Sequence, residues 1–159
     1  MSRIGESLTR VAKMLTRPIG IIHTPYKSKN EIPIQASYSE TTGEVEVFER
    51  YVPGLKDIEG FSHVILLYLF HESPGPSLLV KPLLDSVPRG VFATRHPDRP
   101  NSIGLSIVRL LERKGNMLYV KGIDTLDGTP LVDIKPYVPA YDQVVDAKIG
   151  WLEDKLRPK

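Results

Sequence analysis

The run Thr94-Arg95-His96-Pro97-Asp98-Arg99-Pro100-Asn101-Ser102-Ile103-Gly104 concentrates side chains able to do chemistry. Two guanidinium groups and a carboxamide stand among two prolines. A guanidinium is a planar fork of N–H donors matched to carboxylate or phosphate, and Pro97 and Pro100 lower the entropy lost when such a loop is held around a ligand. A solvated, salt-bridged turn is the plainer reading of the same residues. A second concentration, Asp127-Gly128-Thr129-Pro130 followed by Asp133, Lys135 and Tyr137, places its last three members at alternate positions of an extended segment. Alternate strand residues share a face, so those three could line a cleft together. A hairpin turn running into a charged strand face accounts for them as well. His71 and Glu72 follow directly on the apolar run Val64–Phe70, where a side chain leaving a barrel end can meet a ligand.

Several kinds of chemistry lack support. His23, His63, His71 and His96, with Glu72 and Asp98, are scattered and form no His-Glu-x-x-His spacing, so no metal is expected. There is no glycine-rich phosphate loop, Gly-x-Ser-x-Gly or dinucleotide fingerprint. With no cysteine in the chain, disulfides, thiolate metal sites and cysteine nucleophiles are excluded, and a reducing cytoplasm is the simplest location. The basic N-terminal stretch raises an organelle-targeting peptide, against which Glu6 and the lack of a cleavage pattern weigh. A formal charge of +2 permits an anionic partner without requiring one. No run approaches the length of about 18 apolar residues that spans a bilayer, so no membrane segment is expected.

The elements that must position these groups read as a single domain, since 159 residues with 41% hydrophobic and 25% charged side chains make an ordinary globular balance. Ile4, Leu8, Val11, Ala12 and Leu15 recur at helical spacing, predicting an N-terminal amphipathic helix over residues 1–17 that Pro18 closes. Short runs then predict strands at Ile19–His23 and Glu44–Phe48, with the polar loop Lys27–Thr42 between them. The small residues in its middle could admit a ligand to the backbone, or the loop is an ordinary surface connection. Phe61–Phe70 predicts a central strand covered on both faces, and Gly90–Thr94 a short strand. Ile103–Glu112 and Met117–Thr125 predict a hairpin around Lys114-Gly115-Asn116, a helix at Ile103–Glu112 being the weaker alternative. Leu131–Tyr137 predicts an extended segment, and helical spacing returns in Tyr141–Leu156. Short strands without strand–helix alternation predict a mainly β fold, one small β-barrel over residues 18–141 with short flanking helices and a tail at 142–159.

The segments Gly60-Phe61-Ser62-His63, Val91-Phe92-Ala93-Thr94-Arg95, Arg99-Pro100-Asn101, Ile103-Gly104 and Asp127-Gly128-Thr129-Pro130 through Asp133-Ile134-Lys135-Pro136-Tyr137 resemble the TsaA/TrmO family, in order, from about Pro18 to Tyr141. The resemblance implies a β-barrel methyltransferase that uses S-adenosyl-L-methionine near a homodimer interface. Its implied acceptor is N6 of threonylcarbamoyladenosine beside the anticodon of threonine tRNA. It also implies cofactor contacts at Gln35, Ala36, Ser37, His71, Glu72, Arg95, Leu105, Asp127, Gly128, Thr129, Pro130 and Leu131. Ser102 departs from the family's usual proline. Some relatives carry a further domain that helps with RNA; here only a short tail follows Tyr141, so the RNA grip is expected from the barrel, the N-terminal helix or the dimer.

Such a cofactor has a carboxylate, a ribose diol, an adenine edge and a sulfonium but no phosphate, consistent with the missing phosphate loop. Arg95 suits the anionic group, and Asp127 the ribose hydroxyls. Asp133, Lys135 and Tyr137 are the candidates to assist transfer to a weakly nucleophilic nitrogen, and Arg99 and Lys135 those to meet the tRNA backbone. Two rivals remain: a non-catalytic RNA-binding barrel, and a methyltransferase acting on another acceptor.

Overall fold

A computed structural model describes residues 17–33 and 39–156. Six antiparallel strands close into a barrel in the order β1, β2, β7, β6, β3, β8. They are β1 (Gly20–His23), β2 (Thr42–Val47), β3 (His63–Leu69), β6 (Ile103–Lys114), β7 (Met117–Lys121) and β8 (Thr129–Pro136). Closure is made by β8, which pairs on one side with β1 (Gly20 opposite Leu131) and on the other with β3 (Val64 opposite Pro136). The mainly β barrel expected from the sequence is therefore what forms.

Inside and outside follow from the period of two. Ile22, Val45, Val47, Val64, Leu66, Val108, Leu118, Val120 and Leu131 all point inward and are at most 1% exposed. Burying each such side chain contributes about 1.5–3 kcal/mol, so the alternation fixes the register of every strand. On β3 the burial alternates, with Ile65, Leu67 and Leu69 only half-buried on the outer face. The continuous apolar run had predicted cover on both faces; only the barrel face is sealed. The β6–β7 hairpin turns at Gly115 and Asn116 as expected, and the Asn116 carboxamide donates to the Val47 carbonyl at 3.0 Å, tying the turn to β2.

Two expectations need correction. Gly90–Thr94 is not a strand: pairing stops at the two-residue β5 (Arg89–Gly90), which faces β4 (Leu79–Val80). Val91–Ala93 then winds into a 3₁₀ turn, because Val91 is buried and its carbonyl is taken by both the Thr94 N–H and the Thr94 hydroxyl. The tail forms two single-turn helices, α1 (Pro139–Asp142) and α2 (Glu153–Leu156), with a 3₁₀ turn at Gly150–Leu152, where helical spacing predicted a longer helix. Gly150, at φ 56°, breaks any helical continuity there. The N-terminal helix expected over residues 1–17 lies almost wholly outside the described residues.

At one barrel rim Gly104 sits opposite Tyr68. A β-carbon there would lie 2.6 Å from Tyr68 Cζ and 2.9 Å from Phe70 Cζ, so only hydrogen leaves room for the tyrosine ring, which meets Phe70 edge-on at 5.5 Å. Gly104→Ala is expected to destabilise the fold by about 1–3 kcal/mol through overpacking, read as a lower midpoint in denaturant unfolding.

Candidate functional site

The rim at the end of β3 and the start of β6 and β8 opens on a cavity of about 420 Å³. Its size is within the range of small-molecule sites, about 300–1,000 Å³. Its outer wall is the long connection from Phe70 to Ser102, and that wall is wired by side-chain bonds to backbone. Arg99 Nη1 donates to the carbonyls of Thr94 (2.7 Å) and Val91 (3.0 Å), closing the loop on itself. Asp98 accepts from the Ser73 hydroxyl at 2.8 Å, and its carbonyl accepts from the Ser77 N–H. Between these ties Arg95 is presented, exposed, on the cavity wall with Thr94 and Pro97.

The floor is a chain of hydroxyls that the sequence reading missed. Tyr68, 4% exposed, has its hydroxyl 2.9 Å from that of Ser106, itself 2% exposed, and Ser106 donates a short hydrogen bond to the Asp124 carboxylate. Desolvation, with the Asp124 charge nearby, pushes the Tyr68 phenol well above its usual value, while Arg95 pulls weakly the other way. Tyr68 therefore stays protonated, and because the Ser106 hydrogen is committed to Asp124, Tyr68 donates to Ser106. Tyr68 and Asp124 both line the cavity. Beside them Thr125, 4% exposed, carries the single buried side-chain polar atom among the described residues that has no hydrogen-bond partner, its Oγ1. Thr125 is a cavity-lining residue, but this oxygen is itself buried. Tyr68, Ser106 and Asp124 sit on two strands and a loop with no local motif; the only signal was Ser106 as a polar residue at an inward position.

The structure brings His71, Glu72, Arg95, Leu105 and Thr129 to the cavity. Lys29 reaches over this side too, donating to the Glu72 carbonyl at 2.9 Å. It does not bring the Asp127 side chain there. Asp127 accepts from Lys27 Nζ (2.5 Å) and the Thr24 N–H (2.9 Å), lining a neighbouring groove with His23 and Tyr119. Gly128, at φ 79°, turns the chain into β8, Pro130 is paired with Ile21, and Leu131 is fully buried in the barrel core. Nor are Asp133, Lys135 and Tyr137 at the cavity. They follow β8 toward the opposite rim, where Lys135 pairs with Asp133 at 2.9 Å and Tyr137 meets His63 edge-on. Arg99 lines the cavity but commits one guanidinium nitrogen to the loop. Gln35, Ala36 and Ser37 lie outside the described residues; Ile32 and Pro33, just before them, are on the cavity wall. Among the described residues no three His, Asp or Glu side chains gather as a metal site.

A closed antiparallel barrel with a mixed polar and apolar cavity at one rim defines a ligand-binding β-barrel. The sequence model of the tRNA-methyltransferase O N-terminal domain matches residues 21–143, and the chain belongs to that family. A probable S-adenosyl-L-methionine-binding protein of Pyrococcus abyssi is 57% identical over 141 residues, covering 88% of this chain and 77% of the relative. The human tRNA (adenine(37)-N6)-methyltransferase is 39% identical over 137 residues, covering 81% of this chain and 31% of that one. The crystal structure of TrmO from Pseudomonas aeruginosa superposes with a TM-score of 0.71 at 42% identity, over 86% of this chain and 63% of that chain. The chain thus spans just under two thirds of the solved TrmO and about a third of the human enzyme.

The Lys27 ammonium, followed by the Thr24 N–H, holds the Asp127 carboxyl below its ordinary 3.8. A carboxyl whose pKa is lowered by folding stabilises the fold fully above its unfolded value and loses that contribution as pH falls through the folded one. The carbon-13 resonance of the Asp127 carboxyl should accordingly titrate with a midpoint below 3.8, and in Lys27→Met that midpoint should move up toward 3.8.

Proposed function

We propose that this chain is an S-adenosyl-L-methionine-dependent tRNA methyltransferase acting on adenosine N6, and that its acceptor is the threonylcarbamoyladenosine beside the anticodon of threonine tRNA. The observation that carries this reading is the rim cavity, which Arg95 and Asp124 line together with the apolar Phe70, Ile103, Leu105 and Leu126. The names of the relatives support the cofactor and the adenine-N6 chemistry; the particular nucleoside and tRNA rest on the family resemblance.

The residues present fit such a cofactor. Arg95 would meet its carboxylate as a fork, and Phe70, Ile103, Leu105 and Leu126 would offer apolar surface to the purine. His71, Glu72 and Thr129 complete the wall, and Gln35, Ala36 and Ser37 are proposed as contacts on the family resemblance alone. Asp127, Gly128, Pro130 and Leu131 act by shaping the turn that carries Thr125 and Thr129. When bound, the sulfonium supplies an activated methyl group.

Asp124, a carboxylate on the cavity wall, would accept the N6 proton; Ser106 is hydrogen-bonded to it and Tyr68 to Ser106, so its orientation is set in advance. Lys135, kept cationic because Asp133 raises its pKa, faces outward for RNA phosphate with Tyr137 nearby, and Arg99 adds its remaining N–H groups. Any part that Asp133, Lys135 and Tyr137 play at the methyl group needs a cavity other than this chain's own. The outer face of β6 suits a homodimer: Ile103, Leu105 and Ile107, at alternate positions, are 37–42% exposed, and Leu105 also borders the cavity. The cytoplasm is the proposed location.

Arg95→Ala should weaken S-adenosyl-L-methionine binding at least about tenfold by calorimetry, the scale of a charge-assisted hydrogen bond, with the melting temperature kept. Unchanged affinity would remove Arg95 from the site. Asp124→Asn should lower kcat for tRNA methylation about 100-fold or more while affinity for the cofactor stays within about threefold; a matching loss of affinity would make Asp124 a ligand contact instead. Nucleoside mass spectrometry of tRNA from a deletion strain should lack methylated threonylcarbamoyladenosine, and its persistence there would refute this acceptor. If the purified protein binds the cofactor but methylates no tRNA, another acceptor is indicated; no binding leaves the RNA-binding module.

A further inference from the structure

We infer that the C-terminal tail is a working part of the cavity: Trp151 positions Arg95, and Asp85 anchors the tail that carries Trp151. This rests on the reading of the cavity as the cofactor site and goes beyond the family domain, whose match ends at residue 143. The indole Nε1–H donates to the Ala93 carbonyl at 2.8 Å, two residues before Arg95. Arg99 meanwhile takes the carbonyls on either side, those of Val91 and Thr94. Three carbonyls of the single turn Val91–Thr94 are thus gripped by two side chains, one from within the loop and one from the tail, and the residue that emerges next is the arginine on the cavity wall.

The grip is itself anchored. The Arg89 guanidinium lies over the Trp151 ring at 5.2 Å from its centroid, within cation–π range. Arg89 also donates to the Asp85 carboxylate at 2.6 Å, and Lys155 of α2 approaches the other oxygen of Asp85 at 3.6 Å. The Asp85 side chain is 6% exposed, so two cations from different segments converge on one desolvated carboxylate. Their effect shows in its ionisation: Arg89 first, then the Val87 N–H and the Lys155 charge, bring it from 3.8 to about 2. Exposed ion pairs contribute little; a desolvated carboxylate shared between β5 and the tail fixes where the tail lies. A tail serving only to end the chain would need none of these contacts to the loop that presents Arg95.

Trp151 is the only tryptophan in the sequence, so its fluorescence reports on this contact alone. In the full chain, Trp151→Phe keeps a ring for Arg89 and removes the N–H donor. Three measurements are made on wild type, Trp151→Phe and Asp85→Asn: S-adenosyl-L-methionine affinity by calorimetry, amide exchange of the segment 91–95, and thermal unfolding. The expected result is faster exchange at 91–95 and an affinity reduced about three- to tenfold, the worth of one neutral hydrogen bond, with little change in melting temperature. Asp85→Asn should give the same pattern with a red-shifted Trp151 emission. Faster exchange with unchanged affinity would overturn the positioning role, and unchanged exchange would overturn the strap itself. Failure of wild type to bind would instead overturn the cofactor reading, and exchange at 91–95 would still decide whether the strap holds the loop.

Discussion

Closure of the barrel is the constraint on which everything else depends. Because β8 pairs with both β1 and β3, no edge is left among the six strands and every inward position must be filled by its own side chain. Ile22, Leu66, Leu118 and Leu131 do so completely. A ligand therefore has no place inside and must bind at a rim, where strands end and connections cross. The rim at Tyr68 and Gly104 is the one over which the longest connection of the described chain folds back, and there the side chains able to recognise a ligand are found.

That location forces a particular use of charge. A loop on a barrel rim has no helix whose N–H groups and dipole could bind an anion, so recognition falls to side chains, and these must be held still by other side chains. Arg99 spends hydrogen bonds on carbonyls of its own loop, which are then not left short of partners. Asp98 stitches the loop to Ser73 and Ser77. Of the two arginines that looked alike in sequence, one is mainly a brace and the other faces the cavity. The same division separates the carboxylates. Asp127 is occupied by Lys27 and Thr24 in the adjoining groove, whereas Asp124 is oriented toward the cavity by buried hydroxyls.

The legible and illegible parts of the sequence divide along this line. Short runs between turn residues located β1, β2, β6 and β8 to within two residues, whereas β7, expected over Met117–Thr125, ends at Lys121. Local pattern failed at Gly90–Thr94, where a buried Val91 and two bonds to its carbonyl outweigh the β-propensity of Val-Phe. It failed again in the tail, where the spacing of Val145, Ile149 and Leu152 promised a buried helical face, while Val145 remains 85% exposed and Trp151 makes the contact instead. In the cavity, Arg95 and His71-Glu72 stood out as dense polar runs. Tyr68, Ser106 and Asp124 did not, since their association spans β3, β6 and the turn before β8 and exists only once the strands are in register. The alternation of Asp133 and Lys135 along β8 was sound, and what it could not show is which rim they approach: Lys135 lies opposite Ile65, and Tyr137 meets His63, five residues along β3 from Tyr68.

This geometry also limits how the protein can serve an RNA acceptor. The cavity of about 420 Å³ is open at the rim and bordered by Leu105, whose side chain belongs to the exposed apolar face of β6. Anything covering that face, protein or nucleic acid, would become a wall of the cavity without touching its floor. The two functions of the site can then be separated physically. The Tyr68, Ser106 and Asp124 floor is fixed by burial and does not depend on what covers it. The Arg95 wall, held by Arg99 through part-buried bonds and by Trp151 through an exposed one, is where an approaching macromolecule can alter affinity, because hydrogen bonds at the surface compete with water and yield first.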